Sequence, residues 1–356
     1  MIEFRDIEVK SHERVVYCSE SNTGLKAIIA IHDTTLGPSL GGCRMWNYKT
    51  EKEALTDVLR LSKGMTYKAA IADLKLGGGK SVIMGSSKKD KSQELFRAFG
   101  QFVDTFNGRY ITAEDVGTTE DDMELVRKET RHVTGVSKEH GGGGDPSPVT
   151  AYGTYIGIKA SVKYKFGISS LDGLKIIVQG VGSVGENLVY HLCNEGADVY
   201  IHDIDEVKLD YVSKKFNVET IHSDSLYNFK ADIYSPCALG ATINDETINQ
   251  LQCSIIAGAA NNILLDPKKH GDQLMKKNIL FAPDYVINAG GLINVASEIE
   301  GYDKDKVKNK TEQIYDTLLN IYNISNKNDI STSDASRKLA EKIIYTKHQN
   351  EPFIIE

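Results

Sequence analysis

Two lysines frame the most chemically loaded stretch of the chain. In GMTYKAAIADLKLGGGKSVIMG, residues 64–85, Lys68 and Lys80 lie on either side of three consecutive glycines at 77–79. A backbone without Cβ atoms lets a small ligand lie against the main chain, so the two ammonium groups converge on one ligand. One is expected to hold a carboxylate; the other, crowded by the first and partly desolvated, is the candidate base. The competing reading is two solvated lysines beside an ordinary glycine turn, the commonest fate of lysine. The apolar run at 81–84 argues against it, because it reads as buried and carries the Lys80 ammonium to the edge of a sheet. A second candidate is the acidic pair Glu114-Asp115, which ends a short strand at 109–113 and opens a loop through Gly117-Thr118-Thr119. Open α/β sheets place chemistry at strand ends. A helix N-cap role for Asp115 or Thr119 stays open on this segment alone.

The elements that position these groups follow the same local grammar. Residues 25–31 read as a buried strand, and Gly37-Pro38 with Gly41-Gly42 as a loop. Thr50 and Glu53 form a capping box for a helix through Ala54, Val58, Leu59 and Leu61, which places Lys68 just beyond it. A further helix is expected over 90–106. The stretch HGGGGDPSP at 140–148 cannot hold a core element and marks a domain boundary or hinge. Beyond it, a strand at 175–179 runs into Gly180, Gly182 and Gly185 of a G-x-G-x-x-G turn, then a helix, then a strand at 199–202 that ends in Asp203. Alone the glycine pattern is weak; in this strand–turn–helix–strand setting each part has its own task. The glycines admit a pyrophosphate, the helix N-terminus opposes its charge, and Asp203 accepts from a ribose 2′-hydroxyl, which favours NAD over NADP. Apolar runs at 232–236, 254–258 and 279–282 supply further strands of this sheet. The pair Asn261-Asn262 is equally readable as a turn or as a cofactor contact. Two polar-faced helices are expected at 304–321 and 333–345.

At 356 residues the chain is long enough for two domains. A net charge of −7 without a basic stripe argues against nucleic acid or an anionic membrane as partner. No run of about 18 apolar residues and no signal-like N-terminus occurs, so the expected location is cytoplasmic. Five scattered cysteines fit reduced thiols rather than a disulfide framework, and no metal-ligand spacing is present.

Taken together, GPSLGGCRM at 37–45, GMTYK ending at Lys68, GGGK ending at Lys80, AEDVGTT at 113–119, PSPVTAYG at 146–153, the glycine fingerprint, AGAANN at 257–262 and YVINAGG at 285–291 resemble the amino-acid dehydrogenase family of glutamate, leucine, valine and phenylalanine dehydrogenases. The resemblance implies an α/β protein of two domains with a cleft between them. Residues 1–140 form the substrate-binding and catalytic domain and 141–330 the Rossmann NAD-binding domain; the C-terminal helix at 331–356 is expected either to return to the first domain or to make subunit contacts. It further implies NAD-dependent, reversible oxidative deamination of an L-amino acid in a homo-oligomer, an octamer in members similar to leucine dehydrogenase. Lys68 then binds the substrate carboxylate with Asn262, Lys80 activates water, and Asp115 relays protons at the amino group. Leu40, Gly41, Ala113, Leu292 and Val295 line the substrate site; Thr150, Gly180, Gly182, Ser183, Val184, Gly185, Asp203, Ala238 and Asn261 bind the cofactor. A non-catalytic NAD-binding regulator would need only the glycine fingerprint, and a 2-hydroxy-acid dehydrogenase would need a His–carboxylate pair that the nine histidines do not supply.

The resemblance also bears on the substrate. Where glutamate-specific members carry a lysine before the Gly41-Gly42 pair, this chain has Leu40, and an unpaired buried carboxylate costs several kcal/mol. Ala113, Glu114, Asn294 and PSPVTAY resemble the leucine enzymes, whereas Leu292, GGGKSVI and GGGGD resemble the phenylalanine enzymes. Ala113 weighs most, because glycine there makes room for a ring. The expected substrates are leucine, isoleucine and valine, with phenylalanine as the alternative.

Overall fold

A computed structural model describes residues 2–350. They form two compact units. One holds the chain up to Gly144, with Asn294–Lys304 and the chain from Ala340 onward; the other holds Asp145–Ile293 and Asp305–Leu339. Residues 351–356 of the expected C-terminal helix lie outside the described residues, as does Met1.

The first unit is built on strands β1 (Ile2–Asp6), β2 (Arg14–Glu20), β3 (Leu25–Asp33), β4 (Ser39–Trp46), β5 (Gly77–Met84) and β6 (Tyr110–Glu114), with helices α1 (Glu51–Ile71), α2 (Gln93–Asp104) and α3 (Glu120–Arg127). The strands make one mixed sheet in the order β1-β2-β3-β5-β4-β6, antiparallel from β1 to β5 and parallel across β5, β4 and β6. Its strands β3, β5 and β4 are buried along most of their length because both faces are covered. On one face Leu95, Phe96, Phe99 and Phe102 of α2 and Met123 and Val126 of α3 pack with Ile29, Cys43, Ile83 and Tyr110. On the other, Ala54 and Val58 of α1 pack with Ile28, Ala30 and Val82.

Three local expectations for this unit need correction. Helix α1 does not stop before Lys68 but continues to Ile71, so Lys68 sits in its last turn. A glycine in a helix interior costs only about 1 kcal/mol, too little for Gly64 to end the helix. Gly41 and Gly42 lie inside β4 rather than in a loop, and the glycines at 77–79 open β5, an interior strand. They are needed for close approach within the protein: a Cβ on Gly78 would fall 2.0 Å from the Thr66 backbone nitrogen. The cap of α1 is half as expected, with Thr50 Oγ1 accepting from Glu53 N at 3.2 Å while the Glu53 carboxylate accepts from Lys49 N.

The second unit contains α4 (Ser147–Phe166), β7 (Lys175–Gln179), α5 (Ser183–Asn194), β8 (Asp198–His202), α6 (Glu206–Phe216), β9 (Glu219–Thr220), β10 (Ile233–Pro236), β11 (Ile255–Ile256), α7 (Pro267–Lys276), β12 (Leu280–Phe281) and α8 (Asp284–Ile287). All six strands are parallel, in the order β12-β11-β10-β7-β8-β9. The first three strands run outward one way from β7 and the last three the other way, the doubly wound dinucleotide arrangement. Then follow α9 (Gly290–Ser297), α10 (Lys304–Glu312), α11 (Ile314–Asn328) and α12 (Thr332–Asn350). The single helix expected at 304–321 is therefore two: Gln313 N bonds the carbonyl of Lys310, three residues back, which tightens the turn between them.

Candidate active site

The register of the first sheet brings the chemistry onto one face. Side chains alternate along a strand, and Ser81, Ile83 and Tyr110 point toward α2, so Lys80 points to the face that α1 covers. On β4, Leu40, Gly42 and Arg44 share that face. Leu40 pairs with Gly78 and Ile111, and Gly42 pairs with Ala113 on β6. Lys80, Gly42 and Ala113 thus form one row across three strands. At a spacing of about 4.8 Å per strand, the Cα atoms of Lys80 and Ala113 stand about 10 Å apart, with no side chain from β4 between them. Asp115 follows β6 immediately and occupies the space over Gly42, where an added Cβ would stand 2.8 Å from its own Cβ, within reach of Arg44. Leu40 and Ala113 are both buried and form an apolar floor next to the polar groups. Gly41, in contrast, points into the sheet interior, where its carbonyl accepts from the Tyr110 hydroxyl at 2.6 Å.

Asp115 is the hub of this face. Its Oδ2 lies 3.0 Å from Lys80 Nζ and 3.1 Å from Arg44 Nε. Arg44 continues the chain of charges to Asp57 of α1 at 3.0 Å, which also accepts from Tyr48 and Arg60. Lys80 is almost fully buried, its side chain 7% exposed, and a lysine so placed requires a partner. Burial pushes the Asp115 carboxyl toward protonation, but the Lys80 ammonium and the Arg44 guanidinium outweigh it and hold the pKa below the usual carboxylate range. Asp57 is lowered in the same way: burial opposes ionisation, and Tyr48, Arg60 and Arg44 overcome it. Of the two residues for which a cap was the alternative, Thr119 does cap α3, in a reciprocal box with Asp122, whereas Asp115 caps nothing and is taken up by the cations. Lys68 is half-buried in α1. Eleven residues at about 100° each leave it within about 20° of Asp57 around the helix, on the side that meets Arg44 of β4.

In the second unit, the three glycines of the turn differ in their surroundings. Gly180 has φ +96°, and a Cβ there would meet Ala238 N at 2.7 Å. A Cβ on Gly182 would have nothing within 4 Å. A Cβ on Gly185 would fall 1.9 Å from the Gly180 carbonyl, so α5 packs hard against the turn. Gly182 is the N-cap of α5 and supplies no side-chain hydrogen bond, so the first N–H groups, from Ser183 and Val184 onward, are free to face an anion. Asp203 at the end of β8 accepts from Val181 N at 2.8 Å and Asp205 N at 2.9 Å. Each carboxylate oxygen keeps a further lone pair for a hydroxyl donor. These residues fit a dinucleotide. Thr150 stands in the first turn of α4 under Gly291, whose Cβ would be 2.7 Å from its Oγ1. Asn261 Oδ1 accepts from Asn288 Nδ2 at 2.7 Å, and Asn262 adopts φ +53°. Leu292 is buried and Val295 half-buried, both on α9.

Sequence reasoning missed Arg44, Asp57 and Asn288. A charge inside the buried run of β4 was the available signal for Arg44, since such a group needs a partner. Asn288 lay within a quoted motif, and its buried amide fastens Asn261 and the carbonyl of Ala259. Ile204 and Leu239, 88% and 78% exposed, follow Asp203 and Ala238 just beyond strand ends.

A buried lysine–aspartate pair on one sheet and a dinucleotide turn on another are parts that an amino-acid dehydrogenase requires. The family model described as Glu/Leu/Phe/Val dehydrogenase, dimerisation domain, matches residues 12–132, and that described as Glutamate/Leucine/Phenylalanine/Valine dehydrogenase matches residues 200–349. The chain belongs to this Glu/Leu/Phe/Val dehydrogenase family. It is 52% identical to a leucine dehydrogenase of Thermoactinomyces intermedius, over 96% of this chain and 93% of that protein. It is 48% identical to a phenylalanine dehydrogenase of Caldalkalibacillus thermarum, over 94% and 92%. The crystal structure of L-tryptophan dehydrogenase from Nostoc punctiforme superposes with a TM-score of 0.85 at 46% identity, covering 95% of this chain and 97% of that one.

Proposed function

We propose that this enzyme catalyses the NAD-dependent, reversible oxidative deamination of branched-chain L-amino acids to 2-oxo acids and ammonia. The observation that carries the reading is the Lys80–Asp115 pair on a buried sheet face whose floor is Leu40 and Ala113. Sequence identity to leucine dehydrogenases over nearly the whole chain supports the aliphatic preference. The residue roles follow from chemistry. Lys68, a cation at the end of α1, holds the substrate carboxylate. Asp115 takes a proton from the substrate ammonium, which frees the nitrogen lone pair to drive departure of the α-hydrogen. Lys80, once its own ammonium proton has been released to solvent, receives a proton of the water that attacks the imine carbon, and Asp115 returns its proton to the amino group, which leaves as ammonia. Bound NAD supplies the hydride acceptor. Gly180, Gly182, Ser183, Val184 and Gly185 hold its pyrophosphate; Asp203 takes the ribose hydroxyls and repels a 2′-phosphate; Ile204 and Leu239 offer apolar surface for adenine; Thr150, Ala238 and Asn261 position the nicotinamide side. The dimerisation-domain description of the match over 12–132 supports a homo-oligomer, an octamer by resemblance, and we place the enzyme in the cytoplasm.

Aromatic substrates are the second reading, favoured by the 48% identity to a phenylalanine dehydrogenase. Ala113 separates the two: Ala113→Gly, which widens the Lys80–Ala113 row, is expected to shift preference toward L-phenylalanine. The basic test is incubation of the protein with NAD and L-leucine while NADH, ammonia and 2-oxo acid are measured. Stoichiometric formation of all three is expected; no NADH from any L-amino acid would refute the proposal.

A further inference from the structure

Asp115 uses its two oxygens unequally. Lys80 and Arg44 both approach Oδ2, while Oδ1 accepts no hydrogen bond among the described residues. An arginine left to itself tends to grip a carboxylate through both oxygens. Arg44 does not do so here: it meets Asp115 through Nε alone and turns its NH1 to Asp57 Oδ2 at 3.0 Å, and Asp57 is held in turn by the Tyr48 hydroxyl at 2.7 Å and by Arg60 at 3.1 Å. The guanidinium is thereby shared between a carboxylate on α1 and one at the end of β6, and the sharing fixes how Asp115 is turned.

We propose that Arg44 is a positioning residue for the reaction: anchored to Asp57, it takes Asp115 Oδ2 alongside Lys80 and leaves Oδ1 as the atom that exchanges a proton with the substrate's amino group. This rests on the function proposed above. In the step concerned an N–H bond of the substrate ammonium breaks, an O–H bond forms at Oδ1, and no electrons change hands. Arg44 also keeps Asp115 ionised before the proton arrives.

The charged groups around the pair set the expected signs. Lys80 and Arg44 face Asp115, and Asp57, Arg60 and Tyr48 face Arg44. Cys43 and Tyr110, on the opposite face of the sheet, stay neutral because burial pushes both up, the thiol to about 12. Removing the Arg44 cation favours protonated Asp115, so the acid limb of kcat/KM moves to higher pH. Removing the Asp57 charge leaves the Arg44 field less compensated, so the acid limb moves to lower pH.

The test is kcat/KM for L-leucine against pH in the wild type, Arg44→Gln, Arg44→Lys and Asp57→Asn, with a thermal melt of each. Arg44→Gln is expected to lose on the order of ten- to a hundredfold in kcat and to shift its acid limb up. Arg44→Lys restores the position of the limb more fully than the rate, because it returns the charge without the fork. Asp57→Asn shifts the limb down. Unmoved limbs, or limbs of Arg44→Gln and Asp57→Asn that move the same way, overturn the inference. If Arg44→Gln does not fold, Arg44→Lys and Asp57→Asn decide by the same criteria. A wild type inactive toward every L-amino acid would instead overturn the proposed function and the inference with it.

Discussion

A Cβ on Gly42 would stand 2.8 Å from the Cβ of Asp115 and 2.5 Å from the carbonyl oxygen of Glu114. The bare position on β4 and the aspartate at the end of β6 therefore compete for one space, and the aspartate occupies it. Gly42→Ala is expected to displace Asp115 from Lys80, lowering kcat at least tenfold and stability by about 1–3 kcal/mol. Steady-state kinetics with a thermal melt check this; wild-type kcat would show that the row tolerates a methyl group.

Lys80→Ala removes the ammonium but leaves every residue of the glycine turn in place. Turnover is expected to fall below detection while NADH binding, followed by nucleotide fluorescence, stays within a few-fold of wild type. Substantial residual turnover would remove the base role from Lys80.

Asp203 holds Val181 N in the glycine turn, and its proposed second task is to meet the ribose. Asp203→Ala is expected to raise the Kd for NAD by roughly ten- to a hundredfold, for a lost charged hydrogen bond of about 1.5–3 kcal/mol, and to narrow the discrimination against NADP. An unchanged NAD-to-NADP ratio would show that the carboxylate does not read the ribose.

Glu124 on α3 accepts from Ser137 N at 2.9 Å, His140 Nδ1 at 2.8 Å and Arg127 Nε at 3.0 Å. Burial opposes its ionisation, but these donors prevail and bring its pKa from 4.5 down to about 2. A carboxyl lowered on folding contributes stability that is complete above its unfolded value and lost as pH falls through its folded one. Glu124→Gln is therefore expected to lower Tm near neutral pH, and the gap to wild type should close between pH 4.5 and pH 2. A gap independent of pH would contradict the assignment.

What was legible in the sequence was what is local. The run from Lys175 to Asp203 shows its strands, turn and helix within one short span, so the dinucleotide unit could be read with little loss. Glycines misled where tertiary approach, not turning, demanded them: Gly41, Gly42 and Gly78 sit in interior strands because neighbouring main chain and Thr66 leave no room for a Cβ. β1 escaped notice because its outward-facing, charged residues give no apolar pattern. The hub at Arg44 was hidden for a related reason, since its partners lie 13 and 71 residues away and only the strand register brings them together.

The proposed aliphatic preference rests on the row from Lys80 to Ala113, and one comparison tests it most directly: kcat/KM of the wild-type enzyme, with NAD, for L-leucine, L-isoleucine and L-valine against L-phenylalanine. A methyl-scale difference in such a pocket is worth about 1–3 kcal/mol, or roughly ten- to 200-fold. All three aliphatic substrates are expected to exceed L-phenylalanine; a specificity constant for L-phenylalanine higher than all three would contradict the account.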